Sequence, residues 1–214
     1  PGSFIKRVLS QYRLMVRLFR FEPRTVIKIE DAKYLVSFLG GVYLLQKLNG
    51  SWILNKEHQY RSGMNNPLQL VAINGIDTFQ DGVVYGEYWG NPDKEEVRIL
   101  RRDADGNWHV VYAFPKNSIT HIHSIVPDPI RNCVYILTGD CDQESGIWVA
   151  ENDFKTVTPI VIGKQKFRSC IAFPVKEGLL YATDTPLEQN YINLLYLDDE
   201  QKGKIKELHK IPGS

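Results

Sequence analysis

CVYILTGD, residues 133–140, has two counterparts in the chain: VVYGEYWG, residues 83–90, and LLYATDTP, residues 179–186. In each segment the third residue of a short apolar run is tyrosine, and the segments follow one another at intervals of about 50 residues. Internal similarity at such a period is typical of proteins built from repeated structural units. The sequence therefore predicts a repeat architecture.

Each of these segments is the second of four short runs rich in Val, Ile, Tyr and Trp, and turn residues separate the runs. Runs of this kind are typical of β-strands, and four strands per repeat are typical of a β-propeller blade. A compressed unit of the same kind begins at Thr25. The sequence thus predicts an all-β propeller over residues 25–211. Its four four-stranded blades are expected at residues 25–58, 68–114, 118–163 and 167–211.

Two points of architecture stay open at this stage. Four blades is the small end of the range for propellers, so the chain either closes a ring or forms part of a larger one. If the ring is incomplete, we expect a homodimer that covers the open edges. A β-sandwich also uses short strands and frequent turns, but the four-strand period favours the propeller.

Residues 1–24 differ from the repeats. Apolar residues such as Ile5, Val8 and Tyr12 follow helical spacing, and several lysines and arginines lie off that stripe. This pattern predicts a short amphipathic helix. It either packs against the first blade, which a solvated charged face favours, or binds a membrane surface or a partner.

Composition excludes several classes of protein. The net charge of +1 gives no field that would attract nucleic acid, and no apolar window is long enough for a membrane span. Cys133, Cys141 and Cys170 are irregularly spaced and include no C-x-x-C motif, so we expect neither a disulfide framework nor a structural zinc site. Their odd number weakly favours the cytoplasm. A secreted or periplasmic location is expected instead if a signal peptide precedes residue 1.

Propeller geometry predicts where a functional site would lie. The loops before the first strand and after the second strand of each blade open on the same face, where a few polar groups on a rigid scaffold form a concave site. The residues expected at this channel mouth are His121, His123, Gln165 and Arg168 before or at first strands, and Glu87, Tyr88, Asp140, Asp184 and Asn190 after second strands.

His121 and His123 are two residues apart, so in a regular strand they point the same way. They could act as a base with its orienting partner, or hold a divalent metal with help from Glu87, Asp140 or Asp184. They could also be hydrogen-bonded residues that merely line the channel. Binding or catalysis without a metal is the favoured interpretation, so no cofactor is expected.

The other candidates also have two interpretations each. Arg168 would clamp a ligand carboxylate or phosphate, or form a salt bridge to Asp140 or Asp184. Glu87 would act as an acid or base, and Tyr88 would stack on a sugar or pack between blades. Asp140 and Asp184 could instead cap turns.

Several motifs in order resemble the sialidase-like (BNR or Asp-box-like) propellers, and in particular a bacterial subgroup often described as glycosyl hydrolase-like. They are YGEYWGNPDKEEVRILRRDADGNWHVVYAF (85–114), HIHSIVPDP (121–129), YILTGD (135–140), GKQKFR (163–168) and LLYATDTPLEQNYI (179–192). The segment RRDADGNW (101–108) departs from the Asp-box in its spacing. Sialidases use three arginines, and only Arg168 is a candidate here, so sialidase activity is not expected.

The resemblance implies a propeller that recognises a glycan or another anionic small molecule at the channel mouth. Arg168, Gln165, Tyr88, Asp140 and Asn190 would bind the ligand. A glycan-processing hydrolase or lyase is one alternative, with His121, His123, Glu87 and Asp184 as its catalytic residues. A non-catalytic protein-interaction propeller is the other, because propellers host both kinds of function.

Overall fold

The computed structural model describes residues 23–186, 188–198 and 200–212. These residues form four separate antiparallel sheets of four strands each, and every sheet is a meander in which consecutive strands pair. The four-strand repeat predicted from the sequence is therefore confirmed. The N-terminal segment predicted to be helical spans residues 1–24, and residues 1–22 of it lie outside the described residues.

Each sheet contains four consecutive strands of the chain. Sheet 1 contains β1 (Thr25–Glu30), β2 (Lys33–Phe38), β3 (Gly41–Leu48) and β4 (Ser51–Gln59). Sheet 2 contains β5 (Val71–Ile73), β6 (Gly82–Gly86), β7 (Val97–Arg102) and β8 (Trp108–Phe114). Sheet 3 contains β9 (His121–Asp128), β10 (Cys133–Gly139), β11 (Gly146–Glu151) and β12 (Thr156–Ile162). Sheet 4 contains β13 (Ser169–Val175), β14 (Gly178–Thr183), β15 (Tyr191–Tyr196) and β16 (Ile205–Lys210).

The chain divides into two compact units, residues 1–70 and 71–214. In the first unit, sheet 1 buries Leu35 and Val42 on its middle strands. The Ser37 hydroxyl and the Tyr60 hydroxyl form a buried hydrogen bond of 2.7 Å. Burial raises the pKa of Tyr60 well above its usual value, so the phenol stays neutral.

In the second unit, sheet 3 lies between sheets 2 and 4 and shares a hydrophobic core with each. Side chains alternate along β10, so Val134 and Ile136 join the core with sheet 2 while Tyr135 and Leu137 join the core with sheet 4. This burial on both faces explains why CVYILTG reads as a continuous apolar run.

The repeated tyrosines each occupy the same place in their sheets. Tyr85, Tyr135 and Tyr181 lie on the second strands β6, β10 and β14, and all three are almost fully buried. Buried phenols require hydrogen-bond partners, and the Tyr135 hydroxyl donates to Asp128 while the Tyr181 hydroxyl donates to the Lys166 carbonyl. The repeated tyrosine is thus a packing residue, and in sheets 3 and 4 its hydroxyl is anchored by a hydrogen bond.

The contacts of strand β9 bring distant parts of the sequence together. β9 contacts β5 and β6 of sheet 2 and β13 of sheet 4. The start of β9, the loop after β6, the loop after β10 and the start of β13 therefore lie close together. Within the described ranges, the structure contains no helix that is both long and apolar enough to cross a membrane.

Candidate functional site

The start of β9 contains a β-bulge that positions the two histidines. In the pairing with β10, Thr138 lies opposite Ile122 and Leu137 lies opposite Ser124, so His123 is the extra residue on β9. A bulge inserts one unpaired residue and changes the direction of its side chain. The sequence predicted that the two histidines lie on one face of a regular strand. The structure differs, because the strand is irregular at His123.

Gly139 leaves the space that His123 occupies. A Cβ atom at this position would lie 2.6 Å from Cε1 of His123 and 3.1 Å from Cγ of Arg168. Real Cβ contacts are not this short, so the close approach of β10 to the imidazole requires glycine here.

The loop before β9 is fixed by buried polar contacts. The backbone N–H of Thr120 donates to Glu144 Oε2 at 2.8 Å, and the Thr120 hydroxyl also contacts this carboxylate. Lys94 forms an ion pair with the other oxygen of Glu144. Side chains from two other loops thus hold Thr120, the residue that precedes His121.

The two imidazole rings face each other. His121 Nε2 and His123 Nε2 are 3.0 Å apart, and the two residues are only 4% and 2% exposed. On the opposite side of each ring, His121 Nδ1 lies 2.8 Å from the Trp89 carbonyl oxygen and His123 Nδ1 lies 3.2 Å from the Ser169 carbonyl oxygen. A carbonyl oxygen only accepts hydrogen bonds, so both Nδ1 atoms carry hydrogen.

Asp140 completes the cluster from the loop after β10. Its Oδ2 lies 3.4 Å from His121 Nε2, and its Oδ1 lies 3.3 Å from His123 Nε2. A hydrogen on Nε2 of His121 or of His123 would bond to Asp140 and hold the pKa of this carboxyl far below its usual value, so Asp140 is ionised. One imidazole nitrogen from each histidine and one carboxylate oxygen lie within 4.8 Å of one another.

Arg168 links the cluster to sheet 4. Its Nη2 lies 3.2 Å from Asp140 Oδ1 and 3.9 Å from Asp184 Oδ2, which is the salt-bridge arrangement considered for this residue. Its buried Nε has no hydrogen-bond partner in the described ranges. Asp184 also accepts a hydrogen bond from Cys170 Sγ at 3.3 Å. Burial, together with this carboxylate, raises the pKa of Cys170 to about 12, so its thiol is neutral.

Tyr88 and Glu87 follow β6 and have different surroundings. The ring of Tyr88 lies 4.3 Å from the ring of His121 and is tilted by 50° to it, so Tyr88 forms one wall of the cluster. Glu87 is 1% exposed, and its Oε1 accepts hydrogen bonds from Arg98 Nε at 3.1 Å and Arg98 Nη2 at 2.8 Å. Its carboxylate thus anchors β7, and its role as an acid or base stays a prediction.

Asn190 and Gln165 hold loops. The side-chain oxygen of Asn190 accepts hydrogen bonds from the Thr183 hydroxyl at 2.9 Å and the Thr185 N–H at 2.7 Å, and its amide donates to the Thr185 carbonyl. Asn190 therefore shapes the loop after β14, and ligand binding by it stays a prediction. Gln165 Nε2 donates to the Asp140 carbonyl at 3.0 Å and to Asp142 Oδ1 at 2.9 Å.

A groove of about 480 Å³ opens beside Asp140. Its lining residues are Asp140, Cys141, Asp142, Gln143, Gln165, Pro186 and Glu188. Oε1 of Gln165 is buried and has no hydrogen-bond partner among the described residues. Burial and the nearby Glu144 raise the pKa of Cys141, so its thiol stays neutral.

The sequence prediction did not include Asp142, Gln143 or Glu188. All three follow second strands within a few residues of Asp140 or Asp184, so the rule that selected those aspartates applies to them too. The short 3₁₀ turn Asp142–Glu144 places the first two beside the groove, and no pattern in the sequence indicated that turn.

The structure brings His121, His123, Asp140, Arg168 and Tyr88 together, with Asp184 next to Arg168. The distances within this cluster and the groove beside Asp140 set what these residues can bind or catalyse. The resemblance to sialidase-like propellers stays a prediction, because no protein-family model and no curated protein matches the chain.

Proposed function

We propose that the four sheets are blades of a β-propeller, and that the groove beside Asp140 binds a neutral, hydroxyl-rich ligand such as a glycan. The observation that carries this proposal is the chemistry of the groove lining. Carboxylate and amide groups from Asp142, Gln143 and Glu188 accept hydrogen bonds from hydroxyl groups, and the amide also donates.

The same lining favours a neutral glycan over an anionic ligand. The described residues that line the groove include three carboxylates and no cationic side chain. Arg168 is the nearest candidate for binding an anion, but Asp140 and Asp184 already lie beside its Nη2. An incoming carboxylate or phosphate would have to compete with both and would meet the negative charge of the groove.

Gln165 fixes one side of the groove. Its Nε2 donates hydrogen bonds to the Asp140 carbonyl and to Asp142 Oδ1, which fixes the amide plane and the position of the Asp142 side chain. Its Oε1 is buried, so a ligand in the groove does not reach this atom. Gln165 therefore prearranges the Asp142 carboxylate to accept a hydrogen bond from a ligand.

Glycan-array screening followed by calorimetry tests the proposal. Neutral oligosaccharides are expected to bind more tightly than sialylated or phosphorylated ones. Asp142→Ala should weaken binding by roughly fivefold to tenfold through loss of a hydrogen bond, and Gln165→Ala should weaken binding as well because Asp142 loses the partner that positions it. Asp105→Ala, in the exposed turn between β7 and β8, is the matched control and should not change affinity. Preferential binding of anions would overturn the choice of ligand.

A glycan-processing hydrolase or lyase is a second candidate, favoured by the position of Asp184. One nitrogen of Arg168 lies beside both Asp140 and Asp184, so the two carboxylates are near neighbours, as in glycosidase sites. If the bound glycan is cleaved, Asp184→Asn should lower the rate by at least roughly a hundredfold and leave binding nearly unchanged. A bound glycan that is never cleaved leaves the binding function alone.

A further inference from the structure

We propose that His121, His123 and Asp140 bind one divalent transition-metal ion at the edge of the groove. Whether or not a glycan binds, the hydrogen bonds of the two imidazoles place three electron-rich groups against one another.

Each Nδ1 atom donates its hydrogen to a carbonyl oxygen, of Trp89 for His121 and of Ser169 for His123. A neutral imidazole carries one hydrogen, so each Nε2 presents a lone pair. These two lone pairs are 3.0 Å apart and both face the Asp140 carboxylate. Three acceptors in contact repel one another unless a cation lies among them.

The separations suit donors that share a metal ion. With metal–ligand bonds of about 2.0–2.1 Å, neighbouring donors lie about 3.0 Å apart in octahedral geometry and about 3.3–3.4 Å apart in tetrahedral geometry. The distances between the histidine Nε2 atoms and from each to Asp140 are 3.0, 3.4 and 3.3 Å. Little movement is therefore needed for these groups to close on one ion.

The surroundings also match those of metal-binding histidines. A metal-bound imidazole usually donates its other N–H to a carbonyl or a carboxylate, which fixes the tautomer and the ring plane. Both histidines have such a bond, and Arg168 holds the carboxylate of Asp140. The bulge at His123 and the glycine at 139 give the ring its position before any ion arrives.

The donor set selects the class of metal. Imidazole nitrogen suits Zn²⁺, Cu²⁺, Fe²⁺ and Ni²⁺, whereas Ca²⁺ and Mg²⁺ prefer sites made wholly of oxygen. Three protein ligands leave coordination positions for water or for a ligand. Because Asp140 lines the groove as well as the cluster, an ion held there would lie at the edge of the groove.

A shared proton is the competing occupant, since one imidazolium would also remove the repulsion. If a metal ion is the occupant, the purified protein contains the ion or binds added metal. If a shared proton is the occupant, the protein does neither. A bound ion also gives signals that a proton does not, such as visible absorption by Co²⁺ coordinated to nitrogen.

The test uses the full chain, stripped with a chelator and then titrated with Co²⁺ and Zn²⁺. We expect about one equivalent to bind, a Co²⁺ absorption band and a rise in the thermal midpoint. Asp140→Asn should weaken binding by at least roughly tenfold, and this half-exposed, isosteric change leaves folding intact. His123→Ala should abolish binding.

The matched controls are Asp103→Asn and His109→Ala, which disrupt a second His–Asp pair whose Nε2–Oδ2 distance is 2.8 Å. Both variants should bind metal like the parent chain. Absence of binding to the stripped parent, or equal affinity in the parent and Asp140→Asn, would overturn the proposal. An imidazolium signature in ¹⁵N spectra that persists with Zn²⁺ in excess would assign the cluster to a shared proton instead.

Discussion

Gly139→Ala is the substitution that most directly tests the packing of the histidine cluster. The added methyl group would lie 2.6 Å from Cε1 of His123, and this ring cannot simply rotate away because its Nδ1 is bonded to the Ser169 carbonyl. The added methyl group would also lie 3.1 Å from Arg168 Cγ, so Arg168 hinders movement in a second direction. The imidazole or strand β10 must therefore move.

Two opposing contributions set the magnitude. Overpacking of a tightly packed interior costs about 1–3 kcal/mol. Alanine restricts the unfolded chain more than glycine does, and this restriction stabilises the folded state by about 0.5–1 kcal/mol. The net loss in the free energy of unfolding should be about 0.5–2 kcal/mol. Because the displaced ring carries one of the proposed ligands, metal affinity should fall as well.

Urea unfolding followed by tryptophan fluorescence, together with Co²⁺ titration, measures both effects. The matched control is Gly90→Ala, since a Cβ at Gly90 would meet nothing within 4 Å. The control meets no steric contact, so it should gain about 0.5–1 kcal/mol from the same restriction of the unfolded chain and bind the ion normally. If Gly139→Ala were as stable as Gly90→Ala and bound Co²⁺ equally well, the steric reasoning would be refuted.

Two further predictions concern stability and thiol reactivity. Asp128→Ala should lower the free energy of unfolding by about 2–4 kcal/mol, because it leaves the buried Tyr135 hydroxyl without its acceptor and removes the cap of the β9–β10 turn. Asp105→Ala, in an exposed turn, should change it by less than about 0.5 kcal/mol, and equal urea midpoints for the two variants would contradict this account. Among the cysteines, iodoacetamide at pH 8 should modify the exposed Cys141 before Cys170, whose pKa is about 12; peptide mapping by mass spectrometry reads the order, and the reverse order would disprove it.

The four-strand repeats were predictable because their signals are local. Short apolar runs and turn residues set each strand, and the tyrosines at 85, 135 and 181 mark the same position in three sheets. The convergence of His121 and Asp140 also followed from connectivity, since the first residue of β9 lies opposite the last residue of β10.

Other features depend on long-range contacts that no short pattern encodes. The bulge at His123 is a property of the pairing between β9 and β10. Glu87 looked like a candidate acid because it follows β6, yet its carboxylate is bonded to Arg98 of the neighbouring strand. Asn190 is likewise occupied within its own loop. The position of a polar residue in the sequence does not reveal whether its hydrogen-bonding groups are already used by other residues of the protein.

The β-bulge in β9 shifts the phase of side-chain alternation part-way along the strand. Ile122 and Ile125 both join the core with sheet 2, although residues three apart in a regular strand would face opposite sides. The segment before the bulge and the segment after it therefore obey separate alternation rules. Deleting one residue at the bulge would restore regular pairing but would turn either the imidazoles or the apolar side chains to the wrong side. Relatives of this site should thus be recognised by two separate alternation patterns, one for the His-x-His motif and one for the apolar residues after it.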